Sequence, residues 1–304
     1  MTATPHLDST LGRLMAEELF NQPDCWEVAA GLSEAQELLR SPGRRMAIVG
    51  CGTSWFVAQS LAALREAAGL GVTDSFAASE APLAARDYDL ILALSRSGTT
   101  TEIATVLRQA PASARRIAVV ADVASPVAAL ADEVIPLPFA DESSVVQTRF
   151  ASTTIALARA AYGTDLAPAI GDARAVLAGD LPAALVEAEQ LTCLGRGWTV
   201  GIAHEAALKM REASQSWTES YPAMEYRHGP MSISTAGRAV WLFGEAPQGL
   251  AADVQATGAS FVQHDVDPLA DLVLAHRVAL ARARARGLDA DAPRHLTRSV
   301  ILSA

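Results

Sequence analysis

The chain has 304 residues, a formal net charge of −10, half of its residues hydrophobic and 19% charged. That is a compact globular composition, and its surplus of acid argues against nucleic acid and anionic membranes as partners. No apolar run approaches the roughly 18 residues of a membrane span. The N-terminal segment carries Asp8, Glu17 and Glu18 without a basic apolar leader, and the three cysteines, Cys25, Cys51 and Cys193, are too widely spaced for a metal motif. A cytoplasmic protein without a metal is therefore expected.

Residues 1–40 read as a helical arm, with Leu11, Leu14, Met15, Leu19 and Phe20 at helical spacing and a break at Asn21-Gln22-Pro23. Strands and helices then alternate. Strands are expected at 45–50, 72–77, 87–94, 116–122 and 133–138, with helices at 55–69, 102–109 and 145–162. Residues 165–182 hold Pro168, Gly171, Gly179 and Pro182 and read as a connection. The pattern restarts with strands at 191–194, 238–243 and 259–263 and helices at 204–214 and 269–286. The expected class is α/β: two tandem, doubly wound parallel sheets in αβα layers, divided as 41–165, a connection at 166–184, and 185–304. Both halves open on strand–Gly-x-Gly–helix, at Gly50-Cys51-Gly52-Thr53 and Gly195-Arg196-Gly197. No fuller glycine fingerprint with an acidic partner follows, which argues against a dinucleotide site.

The loop Ser95-Arg96-Ser97-Gly98-Thr99-Thr100-Thr101 lies between an apolar strand and an amphipathic helix. Hydroxyl donors, a glycine that admits close backbone approach and free N–H groups at a helix start form anion-binding geometry. No Gly-Lys-Ser/Thr occurs, so this is not a nucleotide hydrolase loop. It suits a phosphate carried on a small polyhydroxylated molecule; a simple Ser/Thr helix cap is the plainer alternative.

Lys209 is the sole lysine among 24 basic side chains. An amine retained in an arginine-rich chain points to use as an amine. It shares a helix face with Glu205 and Glu212, which reads either as a surface ion-pair ladder or as a partly buried acid/base group, because Ala206, Ala207, Leu208 and Met210 surround it. His228, in Glu225-Tyr226-Arg227-His228-Gly229-Pro230, sits in a segment too polar for core and is a candidate acid/base residue. The run from Asp141 to Arg149 reads as a capped helix start.

Taken together, these segments, with Glu18–Pro23 and the tail from Asp289 to Val300, resemble the sugar isomerase (SIS) superfamily, and within it the isomerase half of glucosamine-6-phosphate synthase and its shorter relatives. The resemblance implies two SIS domains. By position it assigns Ser95, Ser97 and Thr100, with the backbone of Arg96 to Gly98, to a sugar phosphate. Cys51, Gly52, Thr53 and Ser54 fall in the same pocket, with Val145 and Gln147 bordering the sugar and Glu205 beside it. Glu212 takes the place of the base that shuttles a proton between C1 and C2. Lys209 stands next to it as an electrostatic partner. His228 takes the place of a ring-opening residue supplied by the partner subunit, so a homodimer with a shared site is implied.

Two departures matter. Residue 2 is threonine where the synthase begins its glutaminase domain with a nucleophile, so glutamine is not expected as the nitrogen source. Arg298 stands where the family's C-terminal loop has a lysine, and a guanidinium forms no imine. The resemblance therefore implies an isomerase or amino-sugar phosphate deaminase of the glucosamine-6-phosphate deaminase kind, without metal or nucleotide cofactor. The alternatives are a plain aldose–ketose phosphosugar isomerase, a deglycase, or a non-catalytic sugar-phosphate sensor.

Overall fold

The computed structural model describes residues 10–302. Residues 1–9 of the expected helical arm, with Thr2 and Asp8, lie outside the described residues. Three helices come first: α1 (Arg13–Phe20), α2 (Gln22–Ala30) and α3 (Ser33–Arg40). The first sheet and its helices follow as β1 (Met46–Gly50), α4 (Thr53–Ala67), β2 (Thr73–Ala77), β3 (Leu90–Ser95), α5 (Thr101–Gln109), β4 (Arg115–Val120), α6 (Pro126–Leu130), β5 (Glu133–Pro136) and α7 (Arg149–Ala161). Then come α8 (Ala167–Ala178), α9 (Ala183–Val186), β6 (Gln190–Gly195), α10 (Thr199–Ser214), β7 (Trp217–Pro222), β8 (Ala239–Phe243), α11 (Leu250–Ala256), β9 (Ser260–Gln263) and α12 (Pro268–Ala285).

Every strand pairing is parallel. The first sheet runs β2-β1-β3-β4-β5 and the second β7-β6-β8-β9. In each, the chain steps to one side of its opening strand and returns on the other. The order therefore reverses between β1 and β3, and again between β6 and β8, and such reversals open a crevice at the carboxyl edge of the sheet. The strands β1, β3, β6 and β8 are buried along their whole length, as apolar strands covered on both faces must be. The two Gly-x-Gly openings share a physical cause: a Cβ on Gly50 would lie 2.3 Å from the Ser54 backbone, and one on Gly195 would lie 2.1 Å from the Thr199 carbonyl oxygen.

The largest core cluster joins both sheets, with Leu92, Ile117, Leu157, Ile202, Trp241 and Leu274 among its members. α10 packs against α12 and α4, and so carries residues of the second half toward the first sheet. The termini meet at α1, where Asp291 accepts from the backbone N–H groups of Leu14 (2.8 Å) and Met15 (2.7 Å). These are unsatisfied donors of a helix start, so a C-terminal carboxylate caps an N-terminal helix.

Three expectations are corrected. Residues 167–178 form α8, not a connection: Pro168 sits in the first turn, where no N–H is needed, and Gly179 is the C-cap. The helix expected from 145 begins at Arg149. β7 and the short helices α6, α9 and α11 are absent from the sequence reading; β7 has three consecutive polar residues, Thr218-Glu219-Ser220, and is half exposed, so it shows no apolar strand signal. Among the described residues, no helix is long and apolar enough to cross a membrane.

Candidate active site

The hydroxyl-rich loop joins β3 to α5. Gly98 adopts φ +64° there, and a Cβ would lie 1.9 Å from Ser125 Oγ, so glycine is required on both counts. Ser95, Arg96 and Ser97 are buried at 4%, 1% and 7% exposure. Ser97 Oγ accepts from the Thr99 N–H at 3.2 Å and from Thr99 Oγ1 at 3.0 Å. Thr100 is the N-cap of α5, yet its side chain makes no capping bond. The plain capping alternative therefore fails at this residue.

A cavity of about 30 Å³ opens beside the loop, lined by Cys51, Ser54, Leu94, Ser95, Arg96, Ser97, Thr100, Ile103, Gln147 and Arg298. Two buried polar atoms of this lining lack hydrogen-bond partners among the described residues, Arg96 Nε and Gln147 Oε1. One can donate and the other accept, and such orphans mark where an external polar group would be held. Burial pulls the Arg96 guanidinium below its ordinary range; Glu142, 3.8 Å away, works against that shift.

The cavity is small because the C-terminal tail lies over it. Arg96 Nη2 donates to the Arg298 carbonyl at 3.0 Å, and the Thr101 N–H, a free donor of the α5 start, donates to the Val300 carbonyl at 3.2 Å. Thr99 Oγ1 and Ser299 Oγ are hydrogen-bonded at 2.8 Å, the serine donating while Thr99 donates to Ser97. The Arg298 side chain is anchored on Asp141 Oδ1 at 2.5 Å and on the Glu142 carbonyl at 3.1 Å. About 30 Å³ holds little more than a water molecule, and the tail contributes Arg298 to the lining.

Next to the cavity lies the Lys209 cluster. α10 is buried on most sides, and Lys209 and Glu205 are both 0% exposed, with the Glu212 side chain at 20%. The surface-ladder alternative therefore fails. Lys209 Nζ donates to Thr53 Oγ1 at 2.8 Å and to Glu212 Oε2 at 2.5 Å, and stands 3.6 Å from Glu205 Oε1. Burial alone would depress the ammonium, yet Glu205 and Glu212 outweigh it and hold Lys209 above its ordinary range. Glu205, by contrast, is pushed up to about 7 by burial, against the pull of Lys209. Neither of its oxygens has a hydrogen-bond partner among the described residues. One ammonium between two carboxylates is balanced when one of the two holds a proton, and Glu205, fully buried where Glu212 is half-buried, is the more desolvated.

Residues 141–148 form an irregular loop that the capped-helix reading misjudged. Glu142 turns back and its Oε1 accepts from the N–H groups of Thr148 (2.5 Å) and Arg149 (2.8 Å), so it caps α7 from seven residues away in sequence. Glu18 on α1 is likewise buried and accepts from the backbone of Ser143 and Ser144. Neither role was anticipated, because both depend on tertiary contact. The loop presents Gln147 to the cavity, whereas Val145 is not part of the lining and gives its N–H to the Asp291 carbonyl at 3.3 Å.

Of the anticipated residues, Cys51, Ser54, Ser95, Arg96, Ser97, Thr100, Gln147 and Arg298 meet on one cavity, with Leu94 and Ile103 as apolar walls the sequence reading left out. Thr53 links that group to Lys209, Glu205 and Glu212. Gly52 (φ +53°) and Gly98 shape the loops without lining the cavity. His228 is not brought there: it stands exposed at the end of a short 3₁₀ turn, Glu225–His228.

Residues 38–162 match the SIS domain model. The chain is similar to the glutamine–fructose-6-phosphate aminotransferase (isomerizing) of Pyrobaculum aerophilum, 27% identical over 94% of this chain and 57% of the relative. It is similar to that of Aeropyrum pernix at 30% identity, over 98% of this chain and 59% of the relative. The chain thus spans less than two thirds of the length of these curated relatives. Among solved structures, glucosamine-6-phosphate deaminase from Thermotoga maritima superposes with a TM-score of 0.77 at 23% identity, covering 95% of this chain and 99% of the other. At that identity the likeness bears on the fold.

Proposed function

We propose, for a chain that carries an SIS domain and resembles the isomerase part of these aminotransferases, that it moves a proton between C1 and C2 of a hexose or amino-hexose 6-phosphate. The observation that carries this reading is the shared start of α4. Ser54 lines the hydroxyl-rich cavity, while its neighbour Thr53 accepts from Lys209, which holds Glu212. An anion held at Ser95, Ser97 and Thr100 would extend its carbon chain toward a carboxylate–ammonium pair. Binding energy at the unreacting phosphate then positions the reacting carbons.

In this reading the Glu212 carboxylate removes the proton from C2 of an open-chain 2-amino aldose phosphate, giving an enolamine, and returns it at C1. The Lys209 ammonium keeps Glu212 ionised and faces the developing enol oxygen. The resulting 2-imine takes up water and releases ammonia, leaving the ketose phosphate; with a 2-hydroxyl in place of the amine, the same steps are a plain aldose–ketose isomerisation. Arg298 would clamp a hydroxyl or an oxyanion. His228, exposed on its own chain, suits service to the site of a second copy, so the working unit is a homodimer of two SIS units per chain, 41–165 and 185–304. Metal and nucleotide have no part in the scheme.

The test is solvent exchange. Protein incubated with glucosamine 6-phosphate in deuterated water should replace H2 by deuterium, followed by NMR, with ammonia and fructose 6-phosphate accumulating. Exchange without ammonia would select the plain isomerase. Tight binding of hexose phosphates with no exchange on any of them would select the sensor and overturn the enzymatic reading.

A further inference from the structure

The second sheet also reverses its strand order, and at its carboxyl edge the loops after β8 and β9 wall a cavity of about 430 Å³. Its lining is Gly244, Glu245, Gln263, His264, Asp265 and Val266. That volume lies within the range of small-molecule clefts, about 300 to 1,000 Å³. In the first sheet the corresponding loops, after β3 and β4, are the hydroxyl-rich loop and its neighbour.

One wall is an oriented imidazole. His264 Nδ1 lies 2.8 Å from Asp271 Oδ1, and the other Asp271 oxygen accepts from Trp241 Nε1 at 2.9 Å. Asp271 is 1% exposed, and the Trp241 ring stands edge-on to the imidazole at 5.7 Å. In the neutral imidazole Nδ1 carries the proton given to the carboxylate and Nε2 is left as an acceptor. Asp271 spends both oxygens on side chains and none on capping α12; Asp267 does the capping, through the Leu269 N–H at 2.9 Å. The loop is fixed at its other end as well. Asp267 pairs with both Arg159 Nη atoms at 2.7 Å, and Gln263 Nε2 ties the two loops together at the Gly244 carbonyl, 2.9 Å away. A site held in place before its ligand arrives loses less entropy on binding.

We infer that this cavity is a second small-molecule site, beyond the proposed reaction, and that it takes a hydroxylated ligand bearing an ammonium group. The contrast with the first cavity decides the class. There the charged lining is arginine, Arg96 and Arg298, with four hydroxyls; here it is two carboxylates, Glu245 and Asp265, with an imidazole acceptor and no hydroxyl. A phosphate ester is repelled. A ligand's ammonium group is attracted by the carboxylates, and one of its hydroxyl groups donates to His264 Nε2.

The experiment follows His264 by NMR in histidine-labelled protein, its imidazole resonance assigned with His264→Gln, during titration with glucosamine hydrochloride. Glucosamine should shift that resonance saturably, glucose should need several-fold more, and glucose 6-phosphate should leave it unmoved. Glu245→Gln with Asp265→Asn should weaken glucosamine about tenfold, two exposed ion pairs being lost. Asp271→Asn should abolish the saturable shift by releasing the ring. Should that variant fail to fold, the Glu245/Asp265 pair still decides, because both residues are exposed. Ser97→Ala should change nothing at His264. No saturable shift, an equal response to glucose 6-phosphate, or loss of the shift in Ser97→Ala would overturn the proposal; none of these outcomes bears on proton transfer at Glu212.

Discussion

Lys209 Nζ and Thr53 Oγ1, 156 residues apart in sequence, lie 2.8 Å from each other. This bond fastens α10 of the second half to the first turn of α4, whose next residue lines the hydroxyl cavity. It also fixes one of three ammonium donors, so that another points at Glu212. Lys209→Met should cost about 3 kcal/mol or more of stability, because the buried Glu205 and the half-buried Glu212 lose the cation between them. Thr53→Val should cost only about 1 kcal/mol, with loss of turnover exceeding any change in KM. Denaturant titration and steady-state kinetics on both variants check the pair; equal stability of Lys209→Met and wild type would contradict the burial argument.

Glu205 supplies a pH dependence with a definite sign. Unfolded, it titrates near 4.5; folded, it is raised to about 7 by burial. The native state therefore binds more protons between these values, so the stability contribution is complete below 4.5 and is lost as pH rises through about 7. Glu205→Gln removes the titration. The Tm of wild type should fall relative to Glu205→Gln between about pH 5 and about pH 8, as scanning calorimetry would show. A constant difference across that range would place the proton elsewhere in the cluster.

What could be read from the sequence followed from local physics. The loop from Ser95 to Thr101 announces itself because hydroxyls, glycine and a strand–helix junction occur together, and Lys209 because it stands alone among arginines. The parallel sheets were legible from apolar runs separated by helices. Tertiary burial was not. Glu142 looks like a helix-start residue of its own segment but serves as a distant cap. α8 hides behind Pro168 and Gly171, residues that read as loop until the first-turn position of the proline is known. Nor does the sequence tell that the tail rests on the hydroxyl-rich loop, since the Arg298 and Val300 carbonyls that make this contact are backbone.

That tail contact has a consequence for Arg96. Its guanidinium donates to the Ser144 carbonyl at 3.1 Å and to the Arg298 carbonyl at 3.0 Å, tying the loop to both the cavity wall and its cover. The guanidinium reaches the two carbonyls with two separate nitrogens, Nη1 and Nη2, whereas a lysine would have to serve both from a single Nζ. Arg96→Lys should therefore loosen the tail, seen as faster tryptic release of residues 299–304 by intact mass, with a higher KM for a phosphorylated sugar. Ser97→Ala should raise that KM without changing the cleavage rate, because its hydroxyl bonds within the loop. Identical cleavage of Arg96→Lys and wild type would free the tail from Arg96.

The shared-site reading yields the most demanding prediction. Glu212→Gln keeps the side-chain shape and should leave hexose phosphate binding within about twofold, while C2 exchange falls by about 10² to 10⁴ with loss of the base. His228→Asn should fail at ring opening, and so be rescued in part by an open-chain substrate analogue. His228 is exposed and off the cavity of its own chain, so if it serves the partner's site the two lesions of a mixed dimer fall together in one site. One site then carries both defects and the other neither. Co-expressed and tandem-purified Glu212→Gln/His228→Asn heterodimers should recover about half of the wild-type rate per dimer if the sites act independently. Recovery absent from a verified heterodimer would assign His228 to the site of its own chain, and an active His228→Asn homodimer would leave it with no catalytic role.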